Sequence, residues 1–211
     1  MDASDWNARY DTAELIWKGE PNQFLPGEVE SIPVGRALDL ACGEGRNAVW
    51  LATQGWEVTG VDFSDVGVAK AGRLAADNSV SGTWITADAT TWSPPPGGFD
   101  LVVMFYLQLP ADQLARALHT AVASLAPDGT FLMVAHDLLN LSEGHGGPQS
   151  PDVLTTAEGV VDSIAAAELE LGVELVVERA GRIDRVVTTA DGDRTAIDTI
   201  VRARRVGTAA F

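Results

Sequence analysis

The chain of 211 residues is poor in cysteine, in basic residues and in long apolar runs. Its single cysteine, Cys42, excludes an internal disulfide and a cluster of cysteine metal ligands, which fits a reducing compartment. No apolar run reaches the roughly 18 residues of a membrane span, and residues 1–5 lack both the basic start and the apolar stretch of a secretory signal. We therefore expect a cytoplasmic protein with no membrane partner.

Basic residues are few: 14 Lys and Arg stand against 30 Asp and Glu, for a formal net charge of −16. Such a surface repels phosphate backbones, so nucleic acid is not expected as a partner. The 46% hydrophobic content and the mean hydropathy of +0.08 are typical of a globular protein. The length predicts one domain over residues 1–211 and leaves monomer and homodimer both open.

Short apolar runs alternate with helical patterns from residue 36 onward, which predicts an α/β fold whose βαβ units build a parallel sheet. The predicted strands cover residues 37–40, 57–61, 84–87, 100–105 and 130–135, and the predicted helices cover residues 46–54, 65–76 and 110–125. The fourth strand is apolar throughout, as a central strand buried on both faces should be. A turn at Pro127-Asp128-Gly129 should introduce the fifth strand.

The two ends of the chain depart from this alternation. After a Gly/Pro loop over residues 138–154 and a helix over residues 156–169, two β runs at 174–185 and 194–204 predict an antiparallel hairpin, with a link longer than a two-residue turn. Residues 1–30 are helical pieces broken by glycine and proline, and they are rich in aromatics. We expect them to cover the site rather than to add a layer.

The most informative segment is the turn after the first strand, which carries Gly43 and Gly45. The spacing Gly43-x-Gly45-x-x-Ala48 fits a dinucleotide fingerprint, with Asp62 placed to take a ribose diol, so an NAD-dependent oxidoreductase remains an alternative. Asp39 and Glu44 flank the turn. Carboxylates there favour the sulfonium and ammonium of S-adenosylmethionine (SAM) over a pyrophosphate.

With these residues the chain, from about residue 6 to residue 204, resembles the class I SAM-dependent methyltransferases. The resemblance implies a Rossmann-like methyltransferase fold with sheet order 3-2-1-4-5-7-6 and SAM as the cofactor. It also implies that Asp62 accepts the ribose hydroxyls, that Phe63 packs on the adenine face and that Asp88 takes the adenine amino group. The cofactor-binding set implied is Tyr10, Trp17, Asp39, Ala41, Cys42, Gly43, Gly45, Arg46, Asn47, Asp62, Phe63, Asp88, Ala89 and Phe105.

One departure from the family is Ala41, where the family often has glycine; alanine suits the turn only if its φ stays negative. Residues 6–10, Trp17, residues 21–22 and residues 42–48 resemble the small bacterial branch of tellurite-resistance and thiol methyltransferases. That branch implies a small-molecule acceptor, a thiol, a hydroxyl or a similar nucleophile. Consistently, residues 105–108 lack the Asn/Asp-Pro-Pro-aromatic run of enzymes that methylate the exocyclic amines of bases.

The catalytic candidates are His136 and Asp137, which end the fifth strand, and His145 in the following loop. Carboxyl ends of parallel strands bind ligands in open α/β sheets, and a hydroxyl acceptor needs a base near its proton. With Glu143 these residues also have a loose metal-ligand spacing, although we expect no metal. A SAM-binding protein without catalysis is a further alternative, and the acceptor atom is not identified by the sequence.

Overall fold

The computed structural model describes residues 3–12, 14–16, 19–95 and 98–207. The strands are β1 (Arg36–Leu40), β2 (Glu57–Asp62), β3 (Thr83–Thr86), β4 (Phe99–Phe105), β5 (Leu125–His136), β6 (Leu175–Thr189) and β7 (Gly192–Arg205). The helices are α1 (Ala3–Tyr10), α2 (Leu25–Val29), α3 (Arg46–Thr53), α4 (Asp65–Asp77), α5 (Ala111–Ala123), α6 (Asn140–Glu143) and α7 (Ala157–Leu171), with a 3-10 turn at Pro151–Val153.

The strands form one seven-stranded sheet in the order β3-β2-β1-β4-β5-β7-β6. Strands β1 to β5 are mutually parallel, whereas β7 runs antiparallel to β5 and β6 antiparallel to β7. This confirms the predicted fold, including the C-terminal hairpin. The order reverses between β1 and β4, and ligands of open α/β sheets bind at the carboxyl ends of strands beside such a switch point.

Helices cover both faces of the sheet, which is why its inner strands are apolar on both sides. On one face, α5 and α7 bury Leu118 and Ile164 against the strands. On the other face, α2 and α3 bury Leu25 and Leu51 against β1, β2 and β4. The N-terminal segment therefore contributes α2 to the core, in addition to the covering role that we expected of it.

Two local predictions were wrong. The hairpin link is a two-residue turn, because Thr189 pairs directly with Gly192. The predicted Pro127-Asp128-Gly129 turn does not precede the fifth strand but lies within it, where the register jumps from the pair Phe99 and Leu125 to the pair Leu101 and Thr130. Asp128 adopts a φ of 64°, so the segment is a bulge. The pairing of β5 with β4 continues on its far side.

No helix in the described parts of the chain combines the length and the apolar character needed to cross a bilayer.

Candidate active site

The turn between β1 and α3 is held tightly against the end of β2. The backbone N–H groups of Ala41 and Cys42 both donate to the carbonyl of Val61, at 2.8 and 3.0 Å. Gly45 has a φ of 80°, and a Cβ there would lie 2.5 Å from that of Ala71 on α4. Only glycine fits this position, since a side chain would meet both backbone strain and a neighbouring helix.

The backbone of Ala41 does not have the negative φ that we expected for an alanine in this turn. Its φ is 66°, in the left-handed region, although alanine was expected to suit the turn only with a negative φ. In this left-handed conformation the Cβ of Ala41 costs a strain of about 1–2 kcal/mol. The tightly bonded backbone around Val61 overrides the local preference of the residue.

Two buried carboxylates, Asp39 and Asp62, lie at the carboxyl ends of neighbouring strands on either side of the turn. Oδ2 of Asp39 accepts from the N–H of Ala48 at 3.2 Å. Burial is the largest effect on this carboxyl and raises its pKa to about 7, with the charge of Asp62 adding to the rise. Asp39 is thus a proton-binding group at neutral pH while the site holds no cation.

Asp62 supports the turn as well as facing the site. Its Oδ2 accepts from the N–H of Gly43 at 2.8 Å and its Oδ1 from the N–H of Ser64 at 2.9 Å. Burial raises its pKa, while the two backbone hydrogen bonds act in the opposite direction. Each carboxylate oxygen retains lone-pair capacity for a hydroxyl donor.

Glu44 does not face the site in the way that the charge argument assumed. Its Oε1 lies 2.9 Å from Nζ of Lys70 on α4, and both side chains are buried. Its Oε2 accepts from the N–H of Ile16 at 2.9 Å. The charge of Glu44 is neutralised by Lys70, so Asp39 and Asp62 are the acids that remain near the turn.

The N-terminal segment lies over the glycine turn. A Cβ on Gly43 would come within 2.7 Å of the Tyr10 hydroxyl, so the Tyr10 side chain lies directly against this glycine. Asn7 joins α1 to the start of α4, donating to Oδ1 of Asp65 at 2.7 Å and accepting from Oγ of Ser64 at 2.5 Å. Trp17, the other aromatic residue of the predicted cofactor set, lies outside the described residues.

The remaining members of that set lie along the same edge of the sheet. Asn47 on α3 is buried, and its Oδ1 accepts from the N–H of Asn22 at 2.8 Å. Burial lowers the pKa of Arg46, the first residue of α3. Asp88 is exposed two residues beyond β3. Of the others, Cys42, Ala89 and Phe105 are buried and Phe63 is partly buried.

The predicted catalytic residues differ in burial and in their contacts. Asp137 is fully buried and tied to the hairpin, because its Oδ2 accepts from Oγ1 of Thr199 at 2.6 Å and its Oδ1 from Nε of Arg182 at 3.0 Å. His145 is exposed on its loop. The same loop lies against His136, since a Cβ on Gly147 would come within 3.1–3.2 Å of three atoms of that ring.

His136 contacts two residues that the sequence analysis did not select, Tyr106 and Asp198, and Asp198 in turn binds Arg185. The Tyr106 ring lies 4.7 Å from the His136 ring, and Nδ1 of His136 lies 3.3 Å from Oδ1 of Asp198. Asp198 also accepts from the Tyr106 hydroxyl and from Nε of Arg185, both at 2.7 Å. An acidic residue inside the apolar run of β7 is a sequence signal that could have identified Asp198.

Metal ligation by His136, Asp137, Glu143 and His145 stays without support. Within residues 3–12, 14–16, 19–95 and 98–207, no three His, Cys, Asp or Glu side chains are grouped as ligands of an ion would be.

Comparison with known proteins agrees with this geometry. Residues 37–129 match a family described as "Methyltransferase domain". The chain is 35% identical over 107 residues to a ribosomal RNA small subunit methyltransferase C of Alcanivorax borkumensis, covering 48% of this chain and 32% of that protein. It is 26% identical over 191 residues to a probable thiol methyltransferase 2 of Arabidopsis thaliana, covering 84% of this chain and 83% of that protein.

Among solved structures, the N-methyltransferase NodS of Bradyrhizobium japonicum, in complex with S-adenosylhomocysteine, superimposes with a TM-score of 0.69 at 18% identity, covering 96% of this chain and 97% of that one. This likeness concerns the fold. The chain spans about a third of the length of the ribosomal RNA methyltransferase. The matched domain, the methyltransferase relatives and the seven-stranded topology together support a class I SAM-dependent methyltransferase.

Proposed function

We propose that this chain transfers a methyl group from SAM to a small-molecule nucleophile. The observation that carries the proposal is the pair of buried carboxylates, Asp39 and Asp62, on neighbouring strand ends around the glycine turn. SAM supplies an electrophilic methyl group on a sulfonium, and an acidic site attracts that cation. A diphosphate would meet repulsion at the same place.

The residues present fit SAM. The ends of β3, β2 and β1 are adjacent, and neighbouring strands lie about 4.8 Å apart. Asp88, Asp62 and Asp39 follow this order along the edge, which suits the adenine, ribose and methionine parts of an extended cofactor in turn. Asp62 is buried and anchored by two backbone hydrogen bonds, so charge-assisted bonds to ribose hydroxyls form without loss of side-chain freedom.

The chain's own residues contribute alignment and exclusion of water, which are the main needs of an in-line methyl displacement. Tyr10 covers Gly43, and the loop with Gly147 and His145 lies beside His136 at the end of β5. We assign the acceptor to the space between these two coverings. Their closeness to the strand ends favours a small acceptor.

A nucleic-acid acceptor is disfavoured although one relative is named a ribosomal RNA methyltransferase. The net charge of −16 opposes binding of a phosphate backbone. β4 ends at Phe105 and is followed by Tyr106-Leu107-Gln108, without the run used on the exocyclic amines of bases. A relative named as a probable thiol methyltransferase supports a sulfur nucleophile as the first acceptor class to test.

The proposal is tested by calorimetry followed by a turnover screen. We expect SAM and S-adenosylhomocysteine to bind and NAD to give no heat. Thiols, phenols, amines and oxyanions are then screened for conversion of SAM to S-adenosylhomocysteine. NAD binding without SAM binding would support an NAD-dependent oxidoreductase instead. SAM binding without turnover of any acceptor class would indicate a binding protein.

A further inference from the structure

Three polar side chains from distant parts of the chain meet at one buried carboxylate, Asp198. Tyr106 follows β4, His136 ends β5, Arg185 lies on β6 and Asp198 lies on β7, directly opposite His136 in the strand register. Asp198 is fully buried, and its two oxygens receive the Tyr106 hydroxyl, Nε of Arg185 and the close approach of Nδ1 of His136. The group closes the carboxyl edge of the sheet beside the proposed acceptor space.

Tyr106 is strained in order to join this group. Its φ of 54° lies in the left-handed region, where a bulky residue is an outlier. Such strain costs about 1–3 kcal/mol and persists where the surroundings over-determine it, often at functional sites. Here the surroundings are the N–H of Tyr106 bonded to Val134 at 2.8 Å and its hydroxyl bonded to Asp198 at 2.7 Å.

Asp198 is held ionised despite its burial. Burial acts to raise the pKa of its carboxyl, but the close approach of His136 and the hydrogen bonds from Arg185 and Tyr106 outweigh it and hold the pKa below the usual range. Among the described residues, the groups found against His136 are the carboxylate of Asp198 from β7 and the Tyr106 ring from the end of β4, and Arg185 from β6 binds the same carboxylate. Gly147 lies against the ring atoms of His136.

The two nitrogens of His136 differ in their surroundings. Nδ1 is buried and 3.3 Å from Oδ1 of Asp198, although off the line of an ideal hydrogen bond. The side chain keeps 12% of its surface exposed, so Nε2 is the nitrogen that remains to face a ligand. A carboxylate beside Nδ1 favours the tautomer with the proton on Nδ1 and a free electron pair on Nε2.

We propose that Asp198 is a positioning residue that orients His136 as the general base of the reaction. The acceptor is therefore a thiol or a hydroxyl, because a base is needed only where the reacting atom carries a proton. This rests on the proposed function. The acceptor atom forms a bond to the methyl carbon while the bond from that carbon to the SAM sulfur breaks. The electron pair of the broken bond stays on sulfur. The proton of the acceptor atom passes to Nε2 and then to water.

The first test needs no variant. Nitrogen-15 chemical shifts of His136 in the wild-type protein report which ring nitrogen carries the proton. We expect the Nδ1–H tautomer. The Nε2–H tautomer would overturn the inference whether or not an acceptor has been found, because Nε2 would then have no free electron pair to accept the proton.

The second test is Asp198→Asn, with Arg182→Gln as the matched control. Arg182 also donates through Nε to a buried carboxylate of this sheet, that of Asp137, but takes no part in the group around His136. We expect Asp198→Asn to lower kcat by about tenfold or more, with KM for SAM and SAM binding unchanged. For a thiol acceptor the loss should shrink as the pH approaches the pKa of that thiol, because a thiolate needs no base. Arg182→Gln should keep kcat.

A double variant separates positioning from stability. If Asp198 acts through His136, adding Asp198→Asn to His136→Ala causes no further fall in kcat, because coupled residues are not additive. Additive losses, or a wild-type kcat in Asp198→Asn, would overturn the inference. If the wild-type protein does not bind SAM, the proposed function is wrong, whereas the tautomer measurement on His136 remains valid.

Discussion

Nζ of Lys70 and Oε1 of Glu44 form a buried ion pair, 2.9 Å long, that joins α4 to the glycine turn. The same ammonium donates to the carbonyl of Glu14 at 2.8 Å and to Oγ1 of Thr12 at 3.2 Å. Since Glu44 also accepts from the N–H of Ile16, the pair fastens the N-terminal segment to the turn that it covers. The cover is thus held by charge and not only by its aromatic residues.

Lys70→Met should destabilise the protein by about 3–5 kcal/mol, because it leaves Glu44 buried without a counter-charge. The double variant Lys70→Met with Glu44→Gln should lose less, since no charge is then stranded. Urea unfolding measures both. Arg116→Gln is the matched control, because the pair of Arg116 and Asp112 is exposed and such pairs contribute about 0.3–0.5 kcal/mol. Equal losses in Lys70→Met and Arg116→Gln would contradict the buried pair.

The pH dependence of stability should carry a signature of Asp39. Its pKa is raised by burial to about 7 in the folded state, so folding favours its protonated form. The contribution of Asp39 to the free energy of unfolding is complete below about pH 4 and is lost as the pH rises through about 7. The total loss is about 3–5 kcal/mol. Relative to Asp39→Asn, the wild-type protein should therefore lose stability between these values. Parallel profiles in urea unfolding at stepped pH would refute this.

Asp62→Asn should weaken SAM binding by about 1.5–3 kcal/mol, the range for hydrogen bonds to a charged group. Asparagine is the appropriate replacement, because Asp62 also accepts the N–H groups of Gly43 and Ser64 and an alanine would leave both without an acceptor. Calorimetry measures the change. Asp77→Asn, an exposed acid at the end of α4, removes the same charge away from the site and should leave SAM affinity as it was.

Ala41→Gly should stabilise the protein by about 0.5–1 kcal/mol. Relief of a left-handed φ at alanine gains about 1–2 kcal/mol, and the entropy of an added glycine costs about 0.5–1 kcal/mol. Ala37→Gly, within β1, is the control and should destabilise, because glycine weakens a strand without relieving strain there. A lower unfolding midpoint for Ala41→Gly would mean that packing of the methyl group outweighs the strain.

The predictable parts of this protein are those encoded locally. Apolar runs of strand length, helical periodicity and glycines at a strand end are readable within a few residues, and they predicted the sheet, the hairpin and the turn with Gly43 and Gly45. The position of Asp62 at the end of β2 was predictable for the same reason.

Tertiary structure decided which charges meet. Glu44 was read as an acid facing a cofactor, but Lys70, 26 residues away, neutralises it. Asp198 drew no attention in the sequence, since its contact with His136 depends on the register of two antiparallel strands and its bond to Tyr106 spans 92 residues. The sequence by itself determined the fold and the turn through local pattern, whereas the partner of each buried charge was set by strand register and helix packing, because a buried charge is stabilised only by what the folded chain brings next to it.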